Sequence, residues 1–136
     1  MKKQSFRFLV FFSVFLLVAG LFSGCSSTTH FSISDAAKLN LQSGKTGKAV
    51  DITDAATIKK VTDNMNQPVF KKDKKVDTAG WSYRLRWYGK DGKSIEDVTV
   101  LSNSRIDYKD YFYNADSGKL DTALYDQLLK SAKDIP

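Results

Sequence analysis

The sequence predicts an α+β domain in which an antiparallel sheet of about five to six strands carries two helices. Residues 81–88 alternate between apolar and polar side chains, and Asp91-Gly92 follows them as a hairpin turn. Two other segments space their apolar residues three and four apart, as amphipathic helices do. Because a sheet and a helix with one apolar face each bury those faces against one another, these patterns indicate a layered domain.

A signal peptide precedes this domain in the predicted organisation. A basic start and an apolar run over residues 8–22 lead to Gly24, and Cys25, the only cysteine, follows directly. The apolar run is shorter than the roughly 20 residues that a membrane-spanning helix needs. We therefore expect residues 1–24 to be a leader that is cleaved between Gly24 and Cys25. The alternative is ordinary secretory cleavage after Ser23 or Gly24, which leaves Cys25 as a stray thiol.

The segment Leu21-Phe22-Ser23-Gly24-Cys25 resembles the lipobox of bacterial lipoproteins. The resemblance implies that the sulfur of Cys25 receives a diacylglyceryl group and that Cys25 becomes the first residue of the mature chain. Two acyl chains anchor a protein stably, whereas a single chain holds it only marginally. The expected location is therefore the extracytoplasmic face of the cell membrane, with the lipid anchor at Cys25.

The remaining chain is long enough for one domain and too short for two. Residues 25–36, rich in Ser and Thr, are interpreted as the lipidated cysteine and a flexible tether, and residues 37–136 as the domain. The formal charge is +6, and removal of three basic leader residues would lower it to +3. No nucleic-acid-binding motif accompanies the basic residues, so no nucleic-acid partner is expected.

The first half of the domain is expected to contain a hairpin and a helix. Leu39 and Leu41 alternate with polar residues, and the glycine-containing segment 43–47 turns the chain into a second strand over residues 48–52. Thr53 or Asp54 then caps a helix of about three turns. The apolar stripe of that helix is expected to be Ala55, Ile58, Val61 and Met65.

A short strand, Val69-Phe70, and a lysine-rich loop up to Gly80 are expected next. Lys71, Lys72, Lys74 and Lys75 cluster around Asp73 in that loop. Their expected state is solvated, and contact with anionic lipid or wall polymer is the alternative.

The main hairpin follows this loop. A tight turn at Asp91-Gly92 pairs Lys90 with Lys93 and sets the register of the two strands. Counting outward places Leu85 opposite Val98, Tyr83 opposite Val100, and Arg86 opposite Asp97. Apolar residues then meet apolar residues and a cation meets an anion, which supports this register.

The last third of the chain is expected to hold one or two short strands and a helix. The strands lie within residues 105–113 and turn near Lys109-Asp110, and residues 115–118 form another turn. Asp121 caps the helix. Its inner face is expected to be Leu124, Leu128 and Leu129, with Tyr125 at the margin.

Few residues have the properties that catalysis or metal binding requires. The only histidine, His30, lies in the predicted tether, and the only cysteine is the predicted lipidation site. Ser or Cys nucleophiles with a histidine base, and metal sites of His and Cys, are therefore not expected. Glu96 and Asp97 are adjacent on a strand and point to opposite faces, which suits a paired acid and base poorly. We expect no enzyme, no cofactor and no metal.

Aromatic and arginine side chains are the better candidates for binding, because these residue types dominate interface hot spots. Those that the register or a turn is expected to leave facing outward are Arg84, Arg86, Tyr88, Tyr111 and Tyr113.

Residues 38–130 resemble a family of small uncharacterised lipoproteins of Gram-positive bacteria, which have a single α+β domain of unknown function. The motifs that carry the resemblance are Ile52-Thr53-Asp54, residues 81–88, Asp91-Gly92, and Arg105-Ile106-Asp107-Tyr108 with Tyr111-Phe112-Tyr113. The resemblance implies no reaction and no catalytic residue.

The expected function is that of a lipid-anchored, non-enzymatic binding protein with a protein or peptide partner at the cell surface, of the immunity or exclusion type. The alternatives are a wall-acting enzyme or enzyme inhibitor that uses carboxylates on the sheet, and a structural envelope protein.

Overall fold

The computed structural model describes residues 27–77 and 80–132. The predicted leader, its cleavage site at Gly24 and the predicted lipidation site at Cys25 lie outside these ranges. Neither helix within them is long and apolar enough to cross a bilayer.

The described residues form two helices and one antiparallel sheet of eight strands, in the spatial order β1-β4-β8-β7-β6-β5-β2-β3. The predicted α+β class with two helices is confirmed, whereas the prediction of five to six strands was too low. In chain order the elements are β1 (Thr28–His30), β2 (Lys38–Ser43), β3 (Ala49–Ile52), α1 (Ala55–Asn66), β4 (Val69–Lys75), β5 (Tyr83–Tyr88), β6 (Ser94–Ser102), β7 (Arg105–Tyr108), β8 (Tyr111–Ser117) and α2 (Thr122–Ser131).

Strand β1 lies where the sequence predicted a flexible tether. It pairs with β4, and Phe31 and Ile33 beyond it are buried in the core. The side chain of Asn66 bonds both the N–H and the carbonyl of Ile33, which holds this segment against α1. The tether predicted for residues 25–36 is therefore wrong from Thr28 onward, because the apolar side chains of this segment reach the core.

Strand β4 extends through the lysine-rich segment that was predicted as a loop. Phe70 is fully buried, and the following residues continue to pair with β8 as far as Lys75. Lysine does not prevent strand pairing when its ammonium group reaches solvent, because only the backbone forms the ladder. The loop prediction is therefore wrong for residues 71–75.

Both helices cover the same face of the sheet. The indole Nε1 of Trp87 donates to Thr62 Oγ1 of α1 at 3.0 Å, and the hydroxyl of Tyr83 donates to Asp126 of α2 at 2.7 Å. Tyr125 is fully buried and accepts a hydrogen bond from Asn64, so its predicted place at the margin of α2 is wrong. Of the two predicted caps of α1, Thr53 or Asp54, the structure has Asp54, and Asp121 caps α2 as predicted; both side chains accept from N–H groups of the first turn.

The β5–β6 hairpin has the predicted register but a different turn. Leu85 faces Val98, Tyr83 faces Val100 and Arg86 faces Asp97, as predicted. The pairing of Lys90 with Lys93 is wrong, because the N–H of Gly89 donates to the carbonyl of Lys93 instead. The loop therefore has three residues. A register shift between the pairs Trp87–Glu96 and Tyr88–Ser94 compensates for the extra residue.

The β7–β8 hairpin turns at Lys109-Asp110, as predicted. Both residues have positive φ, 49° and 67°, as the two central residues of a type I′ hairpin turn do. Strand β8 continues to Ser117, so the turn predicted at residues 115–118 is displaced.

Candidate functional site

The face of the sheet opposite the helices is called the open face here. It is defined by a row of paired residues across five strands, Gln42, Arg84, Thr99, Asp107 and Phe112. These residues alternate along their strands with the core residues that the helices cover. The buried apolar residues of both helices lie on the other side, in the core cluster.

An arginine–aspartate network lies at the centre of the open face. Arg84 donates from Nε and Nη2 to the two carboxylate oxygens of Asp97, at 3.0 and 2.7 Å. This hydrogen bonding raises the pKa of the Arg84 guanidinium. Arg86 Nε lies 3.7 Å from Asp97 Oδ2, too far for a hydrogen bond. Two guanidinium groups thus share one carboxylate, and Arg86 Nε has no hydrogen-bond acceptor within the described part of the chain.

A second arginine site lies towards β8. The guanidinium of Arg105 stacks 4.3 Å from the centre of the Phe112 ring and contacts Asp73 at 3.4 Å. Asn114 donates to the same carboxylate at 3.1 Å. Phe112 is only 2 % exposed but is not part of the core cluster under the helices. It is therefore an apolar residue buried on the open face.

A cleft of about 320 Å³ opens beside this row. Asp107 and Phe112 come from adjacent paired strands, and Trp81 lies at the rim with its side chain exposed. The other lining residues are Gly44, Gly80, Thr99 and Leu101. The cleft thus combines one carboxylate with two aromatic side chains.

Asp107 is the chemically unusual residue of this cleft. Its carboxylate has neither a hydrogen bond nor an ion pair with any described residue, although Arg84 is close enough to influence it electrostatically. Burial raises the pKa of Asp107, and the nearby charges of Asp110 and Asp97 raise it further, against the effect of Arg84. Arg84 directs its Nε and Nη2 to Asp97, and it forms no hydrogen bond with Asp107.

Three of the predicted binding residues face outward as expected. Arg84, Arg86 and Tyr88 occupy alternate positions of β5 on the open face. The Nζ of Lys38 lies 4.7 Å from the centre of the Tyr88 ring, so this ring is partly covered by an ammonium group.

Tyr111 and Tyr113 do not face outward, and this part of the prediction is wrong. Tyr113 is buried in the core at 8 % exposure, and Tyr111 packs against the core beneath the Nζ of Lys72, at 3.5 Å. Along β8 the alternation places Phe112, between them, on the open face. The sequence Tyr111-Phe112-Tyr113 alone did not show whether Phe112 or the two tyrosines face the helices.

The carboxylates of β6 point to opposite faces, as predicted. Asp97 lies on the open face, whereas Glu96 accepts a hydrogen bond from the Tyr108 hydroxyl on the other side. Within residues 27–77 and 80–132, no three histidine, cysteine or acidic side chains are grouped closely enough to hold a metal ion.

Sequence reasoning missed the cleft itself. Trp81, Leu101 and Asp107 come from different parts of the chain, and no sequence pattern indicated that they lie together. The available signal was the register, which placed Asp97 and Thr99 on the face opposite Leu85 and Trp87.

Comparison of the chain with protein-family models, with curated proteins and with solved structures found no match. The resemblance to small Gram-positive lipoproteins therefore stays a prediction.

Proposed function

We propose that this protein is a lipid-anchored, extracytoplasmic binding protein without enzymatic activity, and that the open-face cleft receives a cationic side chain of a protein or peptide partner. The observation that carries the proposal is the carboxylate of Asp107, which has no hydrogen bond or ion pair with a described residue and lies in a cleft beside the exposed ring of Trp81.

The chemistry of the cleft suits an ammonium or guanidinium group. Asp107 is half-buried and forms no hydrogen bond or ion pair with a described residue, so a ligand cation would offset the cost of its partial burial. The exposed ring of Trp81 also attracts cations through its negative face. A lysine side chain would place its charge at Asp107 and its methylene groups along Trp81.

A surface protein that captures a cationic peptide would intercept such a peptide before it reaches the bilayer. We propose this as the biological role, which corresponds to the immunity type of small lipoprotein. Arg86, whose side chain is partly exposed on the same face, would then donate to a carboxylate of the same partner.

The raised pKa of Asp107 is the observation that favours the alternative, an enzyme acting on wall material. Raised carboxyl pKa values are typical of general acids. However, glycoside hydrolysis needs two carboxyl groups, and Asp107 is the one carboxylate among the lining residues. We therefore propose binding ahead of catalysis.

The test is photo-crosslinking on living cells that produce the full chain. A photoreactive amino acid replaces Leu101 in the cleft, and in a control it replaces Lys60 on the exposed side of α1. We expect the Leu101 probe to capture polypeptides whose crosslinked segments contain lysine or arginine, and the Lys60 probe to capture none of them.

Two carboxylate variants make the experiment specific. Asp107→Asn should abolish capture by the Leu101 probe, while Asp116→Asn, which removes an exposed carboxylate of β8 outside the cleft, should leave it unchanged. Capture that persists in Asp107→Asn, or crosslinked segments without basic residues, would refute the proposed chemistry.

A further inference from the structure

The lysine-rich strand β4 lies beside the point where the described chain begins. The carbonyl of Ser27 accepts a hydrogen bond from the N–H of Lys72 at 2.9 Å, and Thr28 is paired with Lys71. Cys25 precedes Ser27 by two residues, so their Cα atoms are at most about 7 Å apart. The predicted anchor is therefore covalently confined to the neighbourhood of these lysines.

Several lysines lie at this edge of the sheet, two of them with the ammonium group over a tyrosine ring, Lys72 on Tyr111 and Lys109 on Tyr108. Lys71, Lys74 and Lys75 are exposed and Lys72 is half-buried. Lys109, in the β7–β8 turn, is close by, because Tyr111, two residues further along the chain, is paired with Lys75. These five residues are called the lysine edge.

Acidic groups at the same edge offset part of this charge but not all of it. Asp77 forms an ion pair with Lys74 at 2.8 Å, and Asp73 is engaged by Arg105 and Asn114 on the open face. Asp110 lies in the turn beside Lys109, and its backbone carbonyl accepts from Val76. Asp116 lines the same surface cleft as Lys71 and Lys72. Five lysines thus face four aspartates, of which Asp73 is engaged by Arg105 and Asn114.

We propose that the lysine edge lies on the anionic headgroups of the membrane to which Cys25 is anchored. This inference rests on the proposed lipid anchor and adds the orientation of the domain on the bilayer. Anionic lipid is the favoured occupant because the covalent reach from Cys25 is about one Debye length at physiological ionic strength, within which a charged surface is felt. No covalent link holds a wall polymer close to the lysine edge, so a wall polymer is the less favoured occupant.

The orientation has a consequence for the open face. Strands β1 and β3 are opposite edges of the sheet, so β3 lies farthest from the bilayer when β1 and β4 lie on it. The sheet then stands upright on the membrane, and neither of its faces is covered by lipid.

The first test measures binding of the chain from Cys25 onward, which contains every described residue, to vesicles without covalent attachment. The probe is a vesicle of phosphatidylcholine with about 30 % phosphatidylglycerol, and the control vesicle is phosphatidylcholine alone. A lysine near an anionic surface contributes about fivefold in affinity. The variant Lys71→Gln/Lys75→Gln should therefore reduce the partition coefficient about 25-fold.

A matched variant controls for charge. Lys90→Gln/Lys93→Gln removes the same charge at the exposed β5–β6 turn and should leave partitioning nearly unchanged. An equal loss in both variants would overturn the proposal, because it would show binding through net charge alone. Equal partitioning onto the two kinds of vesicle would overturn it as well.

The second test uses the only cysteine. Coupling Cys25 to a maleimide lipid attaches the chain to vesicles whether or not cells lipidate it. Acetylation of Lys74 and Lys75, measured by mass spectrometry, should then slow severalfold on the anionic vesicles but not on neutral ones, with Lys90 and Lys93 unaffected. Equal acetylation rates on anionic and neutral vesicles would contradict the proposal that the lysine edge lies on the membrane. It would also be contradicted if soluble polyglycerol phosphate protected Lys74 and Lys75 of the uncoupled chain to the same extent.

The anchor itself is tested separately, by measuring the mass of the amino-terminal peptide of the protein isolated from its native cells. An unmodified Cys25 there would refute the proposed anchor and leave the vesicle results for the lysine edge intact.

Discussion

Replacing Gly44 with alanine tests how the rim of the open-face cleft is held. A Cβ atom at this position would lie 2.1 Å from the carbonyl oxygen of Trp81 and 2.7 Å from Cε3 of its ring. Ordinary contacts of this kind are about 3.5 Å or longer, so the backbone at Trp81 must move by more than about 1 Å. The hydrogen bond from the Gly44 N–H to the Ser82 carbonyl, 2.8 Å long, would not survive such a shift.

The expected cost has two parts. Loss of the hydrogen bond costs about 1 kcal/mol, and the steric strain of forcing an extra carbon into a packed site costs about 1–3 kcal/mol. Gly44→Ala should therefore lower the free energy of unfolding by about 2–4 kcal/mol, measured by urea denaturation. In a domain of this size the melting temperature should fall by about 4 °C per kcal/mol.

A glycine in the same turn provides the control. Gly47 has a φ of +72°, and a Cβ atom there meets no described atom within 4 Å. Gly47→Ala should therefore cost only the backbone strain of about 1–2 kcal/mol and leave Trp81 in place. In a Trp87→Phe background Trp81 is the only tryptophan, so its emission and acrylamide quenching should change in Gly44→Ala and not in Gly47→Ala. Equal costs, or an unchanged Trp81 signal in Gly44→Ala, would refute the reasoning.

Three further predictions concern stability. Thr62→Val leaves the buried indole N–H of Trp87 without its acceptor and should cost about 1–3 kcal/mol in urea unfolding, whereas Thr62→Ser should cost much less. Because burial raises the pKa of Asp107, the folded state holds that proton more tightly and loses stability as the pH rises through its titration. Asp107→Asn should therefore raise the melting temperature at about pH 7 but not at about pH 3, and an equal effect at both would contradict this. Burial and the hydrogen bond to Asp126 raise the pKa of Tyr83 to about 12, so the stability advantage of the native protein over Tyr83→Phe should decline between about pH 10 and 12 and not below.

Features that depend on near neighbours in the chain could be predicted from the sequence. The helix caps Asp54 and Asp121 are local, because the accepting carboxylate and the donating N–H are three residues apart. The β5–β6 register is nearly local as well, since the pattern on two consecutive strands admits one pairing that buries both apolar sets. The α+β class follows from these patterns.

Other features depended on strand neighbours that are distant in sequence. Strand β1 was interpreted as a tether because its Ser and Thr content gives no sign that β4 offers a free edge about 40 residues later. Any of the three aromatic residues 111–113 would fit either face of the sheet in isolation. Packing under the helices decided that Tyr111 and Tyr113 face the core and that Phe112 faces outward.

The candidate site belongs to the second group. The alternation of apolar residues in the strands and their periodicity in the helices determined that a sheet with two helices forms, because both patterns depend only on residues that are close together in the chain. Which side chains meet in the cleft was decided by the order of strands, which brings Asp107 of β7 beside Phe112 of β8 and places Trp81 at their rim. Strand order depends on the burial of the whole core, and no short segment of the chain contains that information.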